Sequence, residues 1–279
     1  MREIEVALVE QTVYELFLSA CCEIGEDVLS LLRTGLDKEE SPFGKEVLRQ
    51  LIENDELAAR AHMPICQDTG MSVIFMEIGQ DVHFVGGDVN AAINQGVRRA
   101  YRDGCFRASV LSPLSRVNTK DNTPAIVHIR IVPGDHVTLT AAPKGFGSEN
   151  MSRLWMLTPS QGVDGVKNAI VETVKLAGGN PCPPVVVGVG IGGTAECAML
   201  MAKHSLTRDC GQPSEDPVLA EMERELLQRI NALGIGPQGL GGRVTALAVH
   251  IEQMPTHIAG LPVAVNMQCH AARHKTATI

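Results

Sequence analysis

Aromatic side chains are scarce in this sequence, which has one Trp, two Tyr and six Phe among 279 residues. The core must therefore be aliphatic, and a content of 44% hydrophobic and 20% charged residues is typical of a globular protein. There is no long basic run and the net charge is −8, so no nucleic-acid partner is expected. No apolar stretch reaches the ~18 residues of a membrane span. The acidic N-terminal residues do not resemble a signal peptide, so we expect a cytoplasmic protein without a membrane role.

CxxC pairs are also absent, although the chain has eight cysteines. A zinc ribbon or a thioredoxin-type motif is therefore not expected. Disulfides are disfavoured in a reducing cytoplasm, so most of the cysteines should be small buried apolar residues. The sequence assigns no function to five of them: Cys21, Cys22, Cys105, Cys197 and Cys210.

The hydrophobic pattern predicts a mixed α/β (α+β) fold. Residues 3–33 carry apolar side chains at helical spacing, as one long or two shorter amphipathic helices, and Pro42 opens a further helix that ends near Ala61. No repeat or composition break marks a boundary. We therefore expect one compact domain over residues 1–279, with a mainly helical part at 1–61 and a part of alternating strands and helices at 62–279.

Within the second part, strands and helices are predicted from periodicity and turn residues. Residues 125–132 and 136–142 alternate like a hairpin across Pro133-Gly134-Asp135. The other predicted strands are 71–78, 185–189, 244–251 and 261–267, the last of these being the final strand. The predicted helices are 88–101, with Asp88 as its N-cap, 163–177 and 217–233.

Residues 63–70, Met-Pro-Ile-Cys-Gln-Asp-Thr-Gly, place a thiol, an amide, a carboxylate and a hydroxyl on consecutive side chains. Pro64 favours an extended entry and Gly70 a tight exit, so the segment is predicted to be a loop. Polar groups packed so densely on a loop often face a ligand. The alternative is an ordinary Asx-turn capped by Asp68, with Cys66 as a buried apolar residue.

Two further cysteines lie on predicted loops. Cys182 stands between prolines in Asn-Pro-Cys-Pro-Pro, where neither a helix nor a central strand can continue, and Cys269 follows the final predicted strand. Three soft thiolates suit an iron–sulfur cluster or zinc. A fully ligated electron-transfer cluster generally takes four cysteines, so three would leave a metal position open for substrate.

Two other segments have open interpretations. The polar run 104–124 is either a solvated surface loop or an anion-binding loop, for which Arg107 is a suitable carboxylate partner. The strand at 185–189 leads into Gly190-Ile191-Gly192-Gly193-Thr194, which matches a dinucleotide fingerprint poorly. Nucleotide binding is therefore not expected.

The motifs PICQDTG, NPCPP, GIGGT and MQCHAARH, in this order and at these intervals, resemble the α subunit of class I (iron–sulfur) fumarase. The related L-tartrate dehydratase α subunit shares the pattern, and the similarity covers essentially the whole chain. The resemblance implies a [4Fe–4S] cluster held by Cys66, Cys182 and Cys269. Its fourth iron would bind the hydroxyl and a carboxylate of a small dicarboxylate substrate.

The same resemblance implies roles for further residues. Gln67 and Asp68 match active-site positions, with Asp68 suited to proton transfer or to orienting the substrate. Arg107 resembles an arginine that binds a substrate carboxylate. Gly147 matches a glycine whose backbone meets the substrate, and Gly145 is the alternative.

His257 matches a histidine of the family's active site, and the alternative is an ordinary loop histidine. The family's single-chain members supply further active-site groups from a second domain, so the resemblance also implies a separate β subunit in an α2β2 assembly. The expected reaction is the hydration of fumarate to L-malate. The alternatives are dehydration of tartrate to oxaloacetate and, without catalysis, an iron–sulfur carrier, a redox sensor or a zinc protein.

Overall fold

The computed structural model describes residues 1–279 and has the mixed α/β fold expected from the sequence. The helices are α1 Val6–Cys22, α2 Glu26–Lys38, α3 Pro42–Ala61, α4 Val89–Asp103, α5 Phe146–Glu149, α6 Gly162–Ala177, α7 Ala195–His204 and α8 Pro217–Asn231. The strands are β1 Arg2–Glu5, β2 Met71–Gly79, β3 Val82–Val85, β4 Ile126–Val132, β5 Val137–Lys144, β6 Arg153–Leu157, β7 Val185–Gly193, β8 Ala246–Thr256, β9 Leu261–Gln268 and β10 Lys275–Thr278. None of the helices is both long and apolar enough to cross a membrane.

Several local predictions are confirmed. The periodic segment 3–33 forms two helices, α1 and α2, although its first residues belong to the short strand β1. Pro42 is the first residue of α3. The Asp88 carboxylate accepts a hydrogen bond from the Ala91 amide over 2.8 Å and so caps α4.

The chain divides into two compact units. The first unit comprises Met1–Ile24, Asp55–Phe146 and Arg273–Ile279, and the second comprises Gly25–Asn54 and Gly147–Ala272. Each unit contains a four-stranded mixed sheet. The single-domain prediction stays a prediction, and the units are described separately.

The sheet of the first unit has the order β10-β5-β2-β4. Strand β2 is central, parallel to β4 on one side and antiparallel to β5 on the other. The predicted hairpin of residues 125–132 and 136–142 is therefore wrong, because β2 lies between its two strands. Period-2 alternation predicts a strand but carries no information about which strand it pairs with, and the short turn 133–136 passes over the end of β2 instead of closing a hairpin.

One face of this sheet is covered by helices. Ile74 and Met76 of β2 and Leu139 of β5 are buried in one cluster with apolar side chains of α1 and α4. The opposite face carries the buried Val73 and Phe75 together with polar partners on neighbouring strands, such as the ion pair between Glu77 and Arg130. The main apolar cluster of the first unit therefore lies on the helix-covered side of its sheet.

The sheet of the second unit has the order β6-β9-β7-β8, with β7 parallel to β8 and antiparallel to β9. The prediction that β9 is the final strand is wrong. Strand β10 follows it and pairs antiparallel with β5 of the first unit's sheet. The four-residue β10, Lys-Thr-Ala-Thr, is too short and too polar to give a hydrophobic signal.

Helices cover both faces of the second sheet. Buried side chains of α6 and α8 pack with Val185, Val187 and Val189 on one face. On the other face, α7 approaches so closely that a Cβ atom on Gly188 or Gly190 would lie 2.1 Å from a helix carbonyl oxygen. These β7 glycines are therefore required for helix–sheet packing, which is a physical reason for the pattern that resembles a dinucleotide fingerprint.

Candidate active site

The segment 63–70 is a loop, as predicted, and lies directly before the central strand β2. The half-buried Cys66 thiol lies 3.2 Å from the Gln67 Oε1 atom and 3.5 Å from the Asp68 amide nitrogen. Asp68 Oδ1 accepts a hydrogen bond from the Gly70 amide over 3.1 Å, as in an Asx-turn, and Oδ2 accepts one from the Phe146 amide over 2.8 Å. The carboxylate therefore ties this loop to the turn that follows β5.

Two buried side chains hold the loop through hydrogen bonds to its backbone carbonyl oxygens. The Tyr101 hydroxyl donates to the Thr69 carbonyl oxygen over 2.8 Å, and burial raises the pKa of Tyr101, which keeps this donor protonated. Arg273, only 4% exposed, donates from Nη2 to the Asp68 carbonyl oxygen. Sequence analysis assigned neither residue a role, although Arg273 belongs to the MQCHAARH motif, because a hydrogen bond to the backbone of a distant loop leaves no signal in the sequence.

Asn122 connects the Cys66 loop to the polar segment 104–124. Its fully buried amide accepts from the Ser109 and Val110 nitrogens over 2.8 and 3.2 Å and donates to the Gly70 carbonyl oxygen over 3.1 Å. The backbone φ of 58° at this residue is one that asparagine tolerates. Sequence analysis missed Asn122, because an asparagine among turn residues is normally a solvated one.

Arg107 begins this polar segment and faces solvent. Its carbonyl oxygen accepts a hydrogen bond from the Thr69 hydroxyl over 3.2 Å, which brings its backbone to the Cys66 loop. Its guanidinium has neither an ion pair nor a hydrogen bond within the chain. Acidic residues outnumber basic ones 32 to 24, yet this exposed arginine has no carboxylate partner. Its guanidinium is therefore available to an anionic ligand.

In the second unit, the Cys182 loop directly precedes the central strand β7. Cys182 has a φ of 56°, an uncommon conformation for a residue other than glycine, asparagine or aspartate. The next residue, Pro183, holds the loop through its carbonyl oxygen, which accepts from the Gln238 amide over 2.8 Å and from its Nε2 over 3.0 Å. Residues held in such a conformation by their surroundings cluster at functional sites.

Cys269 directly follows β9 and lies at the same sheet end as Cys182. The His270 amide, one residue further on, donates to the Cys182 carbonyl oxygen over 3.3 Å. This proximity follows from topology, because the start of β7 and the end of the antiparallel β9 are paired through Val186 and Gln268. Both cysteines are half-buried, and neither forms a disulfide.

The two candidate glycines have different surroundings. A Cβ atom on Gly145 would lie 3.2 Å from Asp68 Oδ2, so the close approach of that carboxylate accounts for a glycine there. A Cβ atom on the exposed Gly147 would meet only the Asn180 carbonyl oxygen, at an ordinary 3.8 Å. Nothing within the chain requires a glycine at 147, which leaves its backbone open to a ligand near the Cys182 loop.

His257 lies at the other end of the second sheet. It belongs to the turn between β8 and β9, where its Nδ1 accepts a hydrogen bond from the Ala259 amide over 3.2 Å. The eight residues of β9 separate this turn from Cys269, a span of roughly 26 Å. The structure therefore does not bring His257 to Cys182 and Cys269 of its own chain.

The other cysteines divide by burial. Cys21, Cys22 and Cys210 are buried, as expected for apolar cysteines. Burial raises the pKa of all three thiols, that of Cys21 to about 12, so these groups stay protonated and make poor metal ligands.

The three candidate ligands are divided between the units. Cys66 belongs to the first unit, and Cys182 and Cys269 belong to the second. No three His, Cys, Asp or Glu side chains are grouped closely enough to hold a single metal ion.

Comparison with known proteins gives the family. The chain matches the family described as Fumarate hydratase (Fumerase) over residues 10–278. It is 42% identical over 271 residues, 95% of each chain, to a Methanocaldococcus jannaschii protein whose name assigns it provisionally to the L(+)-tartrate dehydratase alpha subunits. It is 32% identical over 255 residues, 90% of this chain and 84% of the relative, to the L(+)-tartrate dehydratase subunit alpha of Escherichia coli strain UTI89 and to that of Shigella boydii. The chain therefore belongs to the fumarate hydratase family and is a hydro-lyase.

Proposed function

We propose that this chain is the α subunit of an iron–sulfur hydro-lyase that dehydrates L(+)-tartrate to oxaloacetate. The observation that carries the choice of substrate is the naming of the relatives, which match over 84–95% of their length and are called tartrate dehydratase alpha subunits. The alternative kept open in the sequence analysis is therefore favoured over fumarate hydration. Fumarate and malate remain the second candidate pair, because the family itself is described as fumarate hydratase.

The cofactor proposed is a [4Fe–4S] cluster with Cys66, Cys182 and Cys269 as its ligands. The donor set fits, because these three thiols are half-buried, are not in disulfides and lie on loops that precede or follow a sheet strand. The family is known for iron–sulfur hydro-lyases. When bound, such a cluster supplies a Lewis-acidic iron with an open position, which makes hydroxide a better leaving group.

Arg107 is the proposed clamp for a substrate carboxylate. Its unpaired guanidinium offers a planar fork that matches a carboxylate in two parallel hydrogen bonds. Removing a proton next to a carboxylate creates negative charge on that group, and a fixed cation stabilises the charge as it develops. The hydrogen bond from Thr69 to the Arg107 carbonyl oxygen would fix the position of the Arg107 backbone relative to Gln67 and Asp68.

Asp68 is the proposed proton acceptor of this chain. Two backbone amides fix the position of its carboxylate, and each oxygen keeps a lone pair that can accept a proton from the substrate carbon. Gln67 is exposed beside it and can hydrogen-bond a substrate hydroxyl, and the Gly147 backbone can approach the substrate closely. We assign no step to His257, because it lies at the far end of β9 from Cys269.

The partner proposed is a separate β subunit in an α2β2 assembly. The relatives are named as alpha subunits, which implies a second chain in those enzymes. The β subunit would supply the remaining substrate contacts and an alternative base. This chain alone should assemble a cluster but turn over slowly.

The test is an anaerobic reconstitution of the chain with iron and sulfide, followed by addition of its β partner. Formation of oxaloacetate from L-tartrate and of fumarate from L-malate would be followed in parallel. The expected result is a preference for tartrate, with activity that is lost in air. A preference for malate would instead favour fumarate hydration as the function. If neither dicarboxylate is turned over or perturbs the cluster spectrum, the chain is a carrier or sensor and the proposal fails.

A further inference from the structure

Lys144, the last residue of β5, is a lysine with only 4% of its surface exposed. Burying an ammonium group costs free energy unless the group is paired or hydrogen-bonded inside the protein. For that reason lysines are almost never fully buried without such contacts. The groups that the Lys144 ammonium contacts are therefore a guide to what this residue does.

The alternation of β5 places Lys144 on the face of the first sheet that lies away from α1 and α4. Leu139 and Ala141 are buried in the apolar cluster with these helices, so Lys144, three residues beyond Ala141, points to the opposite face. In the sheet register Lys144 lies opposite Met71, the residue that directly follows the Cys66 loop. The lysine therefore stands where β5 meets this loop.

The Lys144 ammonium acts on one peptide group. It donates a hydrogen bond to the Gly145 carbonyl oxygen over 3.3 Å. This oxygen belongs to the peptide group that joins Gly145 to Phe146, and the Phe146 amide at its other end donates to Asp68 Oδ2 over 2.8 Å. A single peptide group thus has a cation at its oxygen and a carboxylate at its N–H.

This peptide group is a rigid link between the two charges. It is trans and nearly planar, with C=O and N–H pointing in opposite directions, so fixing the oxygen also fixes the direction of the N–H. Both hydrogen bonds are charge-assisted, and hydrogen bonds in a chain polarise and strengthen one another. The Lys144 cation therefore strengthens the hydrogen bond from Phe146 to Asp68 and fixes its direction.

Close packing leaves the link little room to move. A Cβ atom on Gly70 would lie 2.5 Å from the Lys144 carbonyl group, and one on Gly145 would lie 3.2 Å from Asp68 Oδ2. The backbone of residues 144–145 is therefore packed directly against the Cys66 loop and the Asp68 carboxylate. A change in the orientation of this peptide group would displace the carboxylate.

We infer that Lys144 is a positioning residue for Asp68, which it holds through the Gly145–Phe146 peptide group. The inference rests on the proposed function, in which Asp68 is the proton acceptor. A base must lie within hydrogen-bond reach of the proton that it takes, and a displacement of about 1 Å can lower the rate ~10²-fold. Lys144 acts through Asp68 and not on the substrate, so its loss should lower the rate and leave substrate binding intact.

Hydrogen exchange of the Phe146 amide, followed by NMR on the full chain without a cluster, tests the link directly. In Lys144→Met the peptide oxygen loses its charged donor, so this amide should exchange at least about 10-fold faster than in the wild type. Lys144→Arg keeps a cationic donor and should restore part of the protection.

Lys167→Met is the matched control. Lys167 is a partly buried lysine that pairs with Glu225 in the second unit, so its loss should leave exchange of the Phe146 amide unchanged. Thermal melting checks that each variant is folded. Lys144→Gln, which has an uncharged donor, replaces Lys144→Met if that variant does not fold.

Steady-state kinetics of the reconstituted enzyme with its β partner test the consequence for catalysis. Lys144→Met should lower kcat about 10²-fold with little change in KM, and Lys144→Arg should recover part of kcat. The effect should also depend on Asp68. In an Asp68→Asn background, which has already lost the base, Lys144→Met should lower kcat little further.

Three results would overturn the inference. One is a Phe146 amide that exchanges at the wild-type rate in folded Lys144→Met. Another is a rise in KM with kcat unchanged, since Lys144 would then contact the substrate itself. The third is a loss of kcat in Lys144→Met that is just as large in the Asp68→Asn background.

Failure of the proposed function would give a different result. The wild-type enzyme would then turn over neither dicarboxylate. The exchange measurement needs neither cluster nor substrate, so it would still decide whether Lys144 holds the peptide group against Asp68.

Discussion

The two units contain the same strand path with different side chains at its functional end. In each, a central strand has a parallel neighbour on one side and an antiparallel neighbour on the other, and the two neighbours are joined by a turn that passes over the central strand. The loop before the central strand and the residues after the antiparallel strand therefore meet at one sheet end. In the second unit they carry Cys182 and Cys269.

The candidate functional residues of the two units stand at equivalent positions relative to the strands. Asp68 precedes β2 by three residues, as Cys182 precedes β7, and Gly145 directly follows β5, as Cys269 follows β9. The first unit thus has a carboxylate and a glycine where the second has two thiols, and it adds its own thiol two residues earlier, at Cys66. Shared topology fixes where candidate functional groups can lie, and the local sequence decides which chemical groups they are.

The largest expected effect comes from removing a thiol of the second unit. Cys182→Ser should lower activity by at least about 10³-fold, because several kcal/mol of Lewis-acid catalysis depend on the proposed cluster. Iron content should fall with activity while thermal melting of the core changes little. Cys197→Ser, at another half-buried cysteine of the same unit, is the control. Full iron content in Cys182→Ser would remove Cys182 from the ligand set.

The next prediction compares the side chains that hold the Cys66 loop of the first unit and the Cys182 loop of the second. Asn122→Asp loses the hydrogen bond to the Gly70 carbonyl oxygen and buries a carboxylate against it, so unfolding should become easier by about 2–4 kcal/mol. Gln238→Ala should cost only about 1 kcal/mol, because the Gln238 main chain still donates to Pro183. Urea denaturation measures both. Equal losses would mean that Asn122 is not the stronger anchor.

A third prediction concerns acid stability of the second unit. Although burial raises the pKa of Glu39, hydrogen bonds from four backbone amides lower it overall, including those of Arg243 and Val244. The stabilisation is therefore present above the ordinary glutamate pKa and is lost as pH falls through the lowered one. Glu39→Gln should destabilise the protein by about 1–3 kcal/mol at neutral pH.

The urea midpoints of Glu39→Gln and the wild type should converge as the pH is lowered below about 4, since the wild-type carboxylate is then protonated. Glu40→Gln is the matched control, because its exposed carboxylate only pairs with the Arg243 side chain at the surface. A wild-type advantage that persists undiminished at pH 2 would contradict the assignment.

The smallest effect tests the proposed role of the first unit in binding the substrate carboxylate. Arg107→Lys keeps the charge but loses the planar fork, so KM should rise about 10-fold with kcat little changed. Steady-state kinetics of the reconstituted enzyme measure the two constants. Arg116→Lys, at an exposed arginine of the same polar segment, should leave both unchanged. An unchanged KM in Arg107→Lys would move the clamp to the β subunit.

Local elements were predictable because their signals are local. Helical periodicity, Pro42 and the Asp88 cap predict α1 to α4, and Pro64 and Gly70 predict the Cys66 loop. The strands β4 and β5 were also recognised, but their pairing was not, because adjacency in a sheet depends on the rest of the fold. The glycines of β7 illustrate the same limit, since the close packing of α7 that requires them is not visible in one segment.

By itself, the sequence determined the residue types of the candidate site and the family, because three cysteine motifs in a fixed order are specific to that family. Only the tertiary structure decided which groups meet. It joined Asp68 to Phe146 and Cys182 to His270, found Asn122 and Arg273 as buried supports, and separated His257 from Cys269 by the length of β9. The physical reason is that a hydrogen bond between distant residues depends on strand order and register, which only the folded chain defines.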